Sequence, residues 1–334
     1  MKKIAVVILN WNGEKLLEQF LPAVILYSNE ASIYVADNAS TDNSIQIIKD
    51  SFPNISIINN DENYGFAKGY NRALQYIEEE IYCLLNSDVE VTKTWLIPII
   101  TLFENENAIG IIQPKILDYK NKNKFEYAGA AGGFIDKYGY PFCRGRIFDT
   151  IESDLGQYDD EKEIFWASGA CFFIRKEIYR KLNGFDDDFF AHQEEIDLCW
   201  RAFNLGYKTK YTSKSIVYHV GGATLQEGNP KKTFLNFRNS LLMLTKNLPD
   251  NRLAIILFSR LVLDGIAGIQ FILKGKWSHF FAILKAHFYF YITINKNLKK
   301  RKQSNSHHYF YTKSIIYFYF LKKIKLFSKI NNSL

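Results

Sequence analysis

The chain has 334 residues, 23% charged and 47% hydrophobic, which excludes a disordered segment and leaves ample material for a buried core. Its formal charge of +7 is unevenly spread: beyond Glu227, 19 Lys and Arg face only Asp250 and Asp264, a net of +17, so the residues before carry −10. An acidic body joined to a basic tail rich in Phe and Tyr implies two roles in one chain. Cys83, Cys143, Cys171 and Cys199 form no CxxC pair and sit among apolar neighbours, the pattern of reduced buried thiols in a cytoplasm.

Met1-Lys2-Lys3 and the apolar run Ile4 to Leu9 imitate a signal peptide, but the run is short and Asn10-Trp11-Asn12-Gly13 stands where a small-residue cleavage site belongs. The run reads instead as a buried first strand. Glu14 to Leu26 follows as a helix, Ser32 to Ala36 as a strand ending at Asp37, and Ser44 to Ser51 as a helix capped by Thr41 or Asp42. Ile55 to Asn59 is a third strand, Ala67 to Glu80 a helix, and Ile81 to Leu85 a fourth strand closing on Asn86-Ser87-Asp88. This alternation predicts an α/β fold with a doubly wound, mostly parallel sheet, whose ligands bind beyond the carboxyl ends of the strands. Asn10, Asp37, Asn63 and Asp88 all fall at that edge. Tyr119 to Glu163 reads as a loop-rich stretch, Glu177 to Leu182 and Ile196 to Leu205 as helices, and Thr209 to Tyr218 as a strand. From Phe234 the pattern is helical, apolar and increasingly basic.

A carboxylate on the turn after a buried strand, as in Leu85-Asn86-Ser87-Asp88, can reach a divalent cation that bridges a diphosphate; an Asx-turn or helix cap before Thr92 explains the same residues. Asp37, followed by Asn38-Ala39-Ser40-Thr41-Asp42, is placed to accept hydrogen bonds from a base or ribose. Asn63 to Arg72 offers a glycine-containing loop opening a helix, with Lys68 and Arg72 near a diphosphate, although Gly65 and Gly69 also suit plain turn and packing geometry.

Val7 to Gly13, Ala36 to Asp42, Asn63 to Asn71 and Leu85 to Asp88, in that order, resemble family 2 glycosyltransferases of the GT-A fold, nearest the bacterial rhamnosyltransferase and galactofuranosyltransferase-like branch. The resemblance covers about residues 4 to 245. It implies that Asp37 binds the nucleotide base and that Asp88 fills the last place of a DxD-type motif holding Mg²⁺ or Mn²⁺, with Asn86 at its first place. Asn10, Asn63, Lys68, Asn71, Asn86 and Ser87 then join Asp37 around a nucleotide-sugar donor. The segment Gly184 to Arg201 resembles the family block whose second acidic residue is the general base; that position is Glu195, where Asp is more usual. Asp186, Glu194 and Asp197 lie in the same block, and Trp166 and Gly169 in a strand and turn bordering the acceptor site. Acids at a helix N-terminus also serve as dipole partners, and this suffices for Glu194 or Asp197. A histidine this far beyond the base coordinates the metal in relatives, which singles out His219; a structural strand-end histidine is the other reading. His192, His279, His287, His307 and His308 lack that setting.

These roles together predict a metal-dependent, inverting transfer from a nucleotide sugar to a hydroxyl of a saccharide or lipid-linked saccharide. The catalytic domain is expected over 1–245, with a nucleotide-binding half to about 115, and a helical extension over 246–334. Leu253 to Leu273 is long enough to cross a bilayer but carries Arg260, Asp264 and Gln270, and Phe280 to Ile294 is short and broken by Lys285 and His287. With Lys299-Lys300-Arg301-Lys302 and Tyr309 to Lys329, the extension predicts a helix pair in the headgroup layer of an anionic membrane, hence a peripheral protein on the inner face of the cell membrane. A helical cap on the catalytic domain is the alternative. Nothing accompanies the basic run that would indicate nucleic-acid binding. Rival functions are a non-catalytic nucleotide-sugar binder and a nucleotidyltransferase, although the latter's glycine-rich basic loop is missing; a dehydrogenase lacks its GxGxxG after the first strand.

Overall fold

The computed structural model describes residues 2–221, 228–302 and 308–330; His307 lies outside them. The N-terminal half follows the expected rhythm: β1 (Ile4–Asn10), α1 (Glu14–Tyr27), β2 (Ala31–Asp37), α2 (Ser44–Ser51), β3 (Ser56–Asn59), α3 (Gly65–Ala73), β4 (Ile81–Asn86), β5 (Val89–Val91) and α4 (Leu96–Asn105). Then come β6 (Ile109–Asp118), β7 (Gly133–Ile135), β8 (Pro141–Cys143), β9 (Arg146–Ile147), β10 (Thr150–Ile151), β11 (Glu161–Ile164), β12 (Cys171–Arg175), α5 (Lys176–Lys181), α6 (Glu194–Asn204) and β13 (Lys208–His219). Helices α7 (Pro230–Asn247), α8 (Asp250–Leu273) and α9 (Trp277–Lys299) complete the body.

The large sheet runs in the order β11-β13-β6-β12-β4-β1-β2-β3, with β5 paired to the end of β13. Strands β4, β1, β2 and β3 are mutually parallel, as are β6 and β13, and β12 lies antiparallel between β4 and β6. Because strand side chains alternate, β1 serves both faces at once. Ile4, Val6 and Ile8 pack with Leu17 and Val24 of α1 and with Trp95 and Phe103, while Ala5 and Val7 join Tyr70 of α3 and Phe185 in the opposite cluster. The aligned carboxyl ends of β1, β2 and β4 bring Asn10, Asp37 and Asn86 to one edge.

Two stretches depart from the sequence reading. The helix expected to reach Glu80 ends at Ala73 and continues only as a 3₁₀ turn, Leu74–Tyr76. Glu78, Glu79 and Glu80 would set three negative charges against the negative end of the helix dipole. The stretch read as loop from Tyr119 to Glu163 contains a second, antiparallel sheet, β10-β9-β8-β7, and the edge strand β11. Strands of two to four residues carry too little alternation to be read. Gly133 permits their docking, since a Cβ there would fall 2.0 Å from the Trp166 ring.

Helices α8 and α9 supply the expected helical extension, but Tyr309 to Lys329, read with Lys299 to Lys302 as fitting a helix pair, add no α-helix to it. Residues 308–330 contain only a π turn, Tyr317–Leu321, and a 3₁₀ turn, Phe327–Lys329. Their aromatics are drawn onto the small sheet and α6: Tyr309 stacks on Trp200 with centroids 5.0 Å apart, and Phe327 lies 5.3 Å from Phe134 and 5.1 Å from Tyr311. Asp136 accepts hydrogen bonds from the Tyr138, Tyr140 and Ile315 amides, and the Tyr311 amide donates to Ile135 O. Packing thus continues across residue 245 into the extension. Phe327→Ala is expected to destabilise the protein by about 3 kcal/mol through the cavity it leaves. A urea-unfolding midpoint equal to that of the wild type would show that residues 308–330 are not docked there.

Candidate active site

The edge of the parallel strands is built from short polar side chains that tie one turn to the next. Asn10 Nδ2 donates to Asp37 Oδ1 at 2.9 Å and to Ser40 Oγ at 3.1 Å, and Asp37 Oδ2 accepts the Ser40 amide at 2.8 Å. Asn10 Oδ1, buried, has no partner. Asn38 reaches Gly65 O at 3.0 Å and accepts from Asn60 at 2.7 Å, fixing the turn after β2 against the start of α3. Asp42 bonds the Glu14 and Ser44 amides, so one carboxylate organises the first turns of both α1 and α2. Asn63 is exposed and caps the Gly65 amide, while Lys68 lies over the Tyr64 ring, 3.8 Å from its centroid, with its ammonium 3.7 Å from Glu62. Asn86 and Ser87 are half-buried.

Asp88 and His219, 131 positions apart, meet because β5 pairs with the end of β13, setting His219 opposite Val89 and the Val220 amide 3.1 Å from Asp88 O. His219 Nε2 lies 3.1 Å from Asp88 Oδ1 and 3.4 Å from Asn86 Nδ2. Its Nδ1 lies 3.2 Å from Glu126 Oε1, a residue the sequence did not single out, in a close ionic contact without hydrogen-bond alignment. Burial alone would lower the imidazole pKa, but Glu126 and Asp88 together raise it to about 10. Burial likewise opposes ionisation of Asp88, and His219 overcomes it and holds the carboxyl below its ordinary range. The pair fits a divalent cation. Adjacent ligands about 2.1 Å from an octahedral ion stand about 3 Å apart, and a carboxylate behind the imidazole is the usual second support for a metal-bound histidine. Among the described residues no group of three His, Cys, Asp or Glu side chains would hold a metal unaided, so a cation here needs ligands from elsewhere, such as a diphosphate.

The acidic segment before α6 is a turn held under strain. His192 and Gln193 both adopt left-handed backbone, with φ of 70° and 73°. Four consecutive side chains leave a buried polar atom without a partner: His192 Nε2, Gln193 Oε1, Glu194 Oε2 and Glu195 Oε2. Burial, then the charge of Glu195, pushes Glu194 well above the carboxylate range, and burial pushes Glu195 up to about 7. Glu194 is buried, whereas Glu195 keeps partial exposure. From the front, α3 grips this turn: the Phe66 amide donates to Phe190 O at 3.0 Å, and a Cβ on Gly65 would fall 2.6 Å from that oxygen. From behind, α7 holds it. Asn239, fully buried, donates to Ala191 O at 2.9 Å and His192 O at 2.7 Å, and Arg238 donates to Asp188 O at 3.0 Å.

Several residues expected at the donor or acceptor serve here as fasteners. Asn71 donates to Phe185 O and Asp187 and accepts from Tyr179 and the Phe185 amide, which spends its side chain on the 184–187 turn. Asp186 pairs with Lys246 and Lys300, and Asp197 with Arg201 and Lys246. Trp166 is buried and donates to Phe134 O, and Gly169 lies against the Phe66 ring. Burial pushes the Cys143 thiol of the small sheet up to about 11, with Arg146 opposing the rise and Glu126 and Glu195 adding to it. Glu126, Asn239 and Arg146 were missed because each sits in a stretch with no motif around it.

Known proteins share the family and the fold. A family model described as glycosyl transferase family 2 matches residues 5–182. An N-acetylglucosaminyl-diphospho-decaprenol L-rhamnosyltransferase of Mycobacterium tuberculosis is 24% identical over 220 residues, covering 61% of this chain and 71% of that protein. The low-salt glycan biosynthesis hexosyltransferase Agl10 of Haloferax volcanii is 24% identical over 206 residues, covering 60% and 61%. Among solved structures, the mannosyltransferase PcManGT of Pyrobaculum calidifontis, in complex with GDP-Man and Mn²⁺, superposes with a TM-score of 0.53 at 12% identity over 90% of this chain and 88% of that one. GalNAc-T7 with UDP, GalNAc and Mn²⁺ gives 0.56 at 16% identity over 73% of this chain and 48% of that one.

The hold of α7 on the acidic turn is directly testable. Asn239→Ala strips the Ala191 and His192 carbonyls of their donor and is expected to cost about 1–3 kcal/mol of stability. Amide exchange at residues 191–195 should accelerate more than elsewhere. Unchanged exchange there would remove Asn239 from any role in holding the turn.

Proposed function

This chain belongs to glycosyl transferase family 2 and is a glycosyltransferase, and on that footing we propose that it transfers a sugar with inversion from a nucleotide-sugar donor to a hydroxyl of a lipid-linked saccharide. Glu195 is the general base and Asp88 with His219 the side-chain metal ligands. The observation that carries the assignment is the half-buried Glu195 carboxylate in the first turn of α6, directly after the left-handed His192 and Gln193, with its Oε2 unpartnered and its pKa raised to about 7. Partial access distinguishes it from the buried Glu194 beside it.

The donor nucleotide lies along the edge formed by Asn10, Asp37, Asn63, Lys68, Asn86 and Ser87. Asp88 and His219 would hold Mg²⁺ or Mn²⁺ beside that edge, where the ion would supply positive charge against a departing nucleoside diphosphate. Glu126 keeps the His219 ring oriented, and Lys68 adds cationic charge at the start of α3. Glu195 takes the proton of the acceptor hydroxyl as that oxygen forms its bond to the anomeric carbon. The bond to the diphosphate breaks on the opposite face, and the diphosphate leaves with the electron pair. One displacement inverts the anomeric centre and needs no side-chain nucleophile. The diphospho-decaprenol substrate in the mycobacterial relative's name and the +17 tail support a lipid-linked acceptor met at an anionic membrane, from a peripheral position on its cytoplasmic face.

Glu195→Gln is expected to keep nucleotide affinity and lose about 10²–10⁴-fold in transfer, the usual range for a general base. Glu194→Gln should lose less, and equal losses would undo the choice between them. Because the base acts ionised, transfer should rise with pH through about 7, where the Glu195 carboxyl titrates. A profile flat between about pH 5 and 8 contradicts that role. Donor turnover should collapse in excess EDTA; full activity there would withdraw the metal from Asp88 and His219.

A further inference from the structure

Helices α8 and α9 are built inside out. They form a hairpin joined at Lys274 to Lys276 and lie on α7. Along α8, Ile255, Phe258, Val262, Ile266, Ile269 and Leu273 recur at helical spacing and are all exposed. Along α9, Trp277, Phe281, Leu284, Phe288 and Tyr291 do the same. Beyond its first turn, the charged groups of α8 point the other way. Arg260 is buried, bonded to Tyr138 O at 2.9 Å and Ser240 Oγ at 2.7 Å, with its guanidinium 3.8 Å from the centroid of the Tyr140 ring. Asp264 is buried beside it and lies 3.3 Å from His287 Nε2. A soluble helix presents the reverse arrangement, and an apolar stripe this long marks a surface that another apolar phase covers.

The charge on the hairpin identifies that phase. From Leu253 to Leu298 the exposed charged residues are Lys274, Lys276, Lys285 and Lys296, all basic, and the one acid, Asp264, is buried. A second copy would bring like charge against like, whereas an anionic leaflet complements it. By length and composition α8 could cross a membrane. Its inner face is nevertheless committed to the catalytic body through Arg260, and the far end of α9 is pinned by Lys296 to Asp188 and by Lys300 to Asp186 and Asp188. Crossing would break these contacts, while lying in the plane keeps them.

We infer that the α8–α9 hairpin is an in-plane membrane-insertion face, its outer stripe sunk into the acyl boundary of an anionic leaflet and its inner charges fastened to the catalytic body. The inference rests on the membrane reading above and changes what holds the protein there, from charge alone to apolar burial. The same body contacts place the acidic turn next to the membrane, since Lys296 and Lys300 of the hairpin end grip Asp186 and Asp188 ahead of Glu195.

Flotation of the full-length chain with vesicles of phosphatidylcholine and phosphatidylglycerol tests it, in low salt and in about 0.5 M NaCl, where exposed ion pairing is largely screened. The wild type should stay bound in both. Ile266→Asp combined with Phe288→Asp, both surface changes, should lower the bound fraction at high salt by at least about tenfold while leaving donor hydrolysis intact. Lys274→Ala combined with Lys276→Ala should weaken binding at low salt only. Full release of the wild type by salt would overturn the inserted hairpin and leave the electrostatic membrane reading standing. No binding at any salt would overturn both. Dimers of the wild type that the two aspartates dissolve, without vesicle binding, would assign the stripe to a second copy instead.

Discussion

His219 lies 3.1 Å from Asp88 and 3.2 Å from Glu126, and the meeting of these three groups depends on nearly every long-range feature of the fold. Strand β13 must run its full length beside β6 and then take β5 as a partner, and the chain after β6 must fold back so that Glu126 faces the ring. Two carboxylates in a buried place repel each other unless something cationic stands between them. The protonated imidazole fills that need in the protein alone, which is why its pKa rises while that of Asp88 falls. A bound divalent cation would satisfy the same carboxylate in its place. Removing His219 leaves Asp88 and Glu126 buried without their shared cation, a far larger penalty than the loss of one contact.

The acidic turn before α6 obeys a different logic. Here the chain keeps polar atoms unpaired and backbone left-handed, and the cost is met by rigid neighbours: α3 through Phe66 and Asn71, α7 through Arg238 and Asn239, and the lysines of α7 and α9 through Asp186 and Asp188. The −10 body and +17 tail that first suggest two separate jobs therefore also describe one interlocked surface. Part of the tail's charge is spent on the acidic turn, and its exposed apolar face is left for something outside the chain.

What the sequence made legible follows from the kind of signal each element carries. The β1–β4 half was readable because a buried parallel strand is a continuous apolar run and its turn carries Asn10, Asp37 or Asp88 in a short motif. The strands β7 to β10 were not, because two or three residues cannot display a period, and the interrupted helix after α3 looked continuous until its glutamates were weighed against the helix dipole. At the candidate site, Asp88, Glu195 and His219 were singled out by the resemblance, and the structure brings Asp88 and His219 together. Glu126 and Asn239 were not singled out, since their importance comes from register and packing that no local pattern records. Asn71 and Asp186 show the converse, motif residues whose side chains are occupied in holding the turn. In the tail, apolar content was evident, but only the structure shows that Arg260 and Asp264 face inward and Ile255, Ile266 and Ile269 outward.

The central claim is that a single displacement, with Glu195 removing the proton, performs the transfer. The most direct measurement is the anomeric configuration of the newly formed linkage, read by NMR of the product made from a donor of known configuration. One displacement predicts the opposite configuration in product and donor. Retention would require an intermediate that this site, without a side-chain nucleophile assigned to it, does not provide, and would contradict the account.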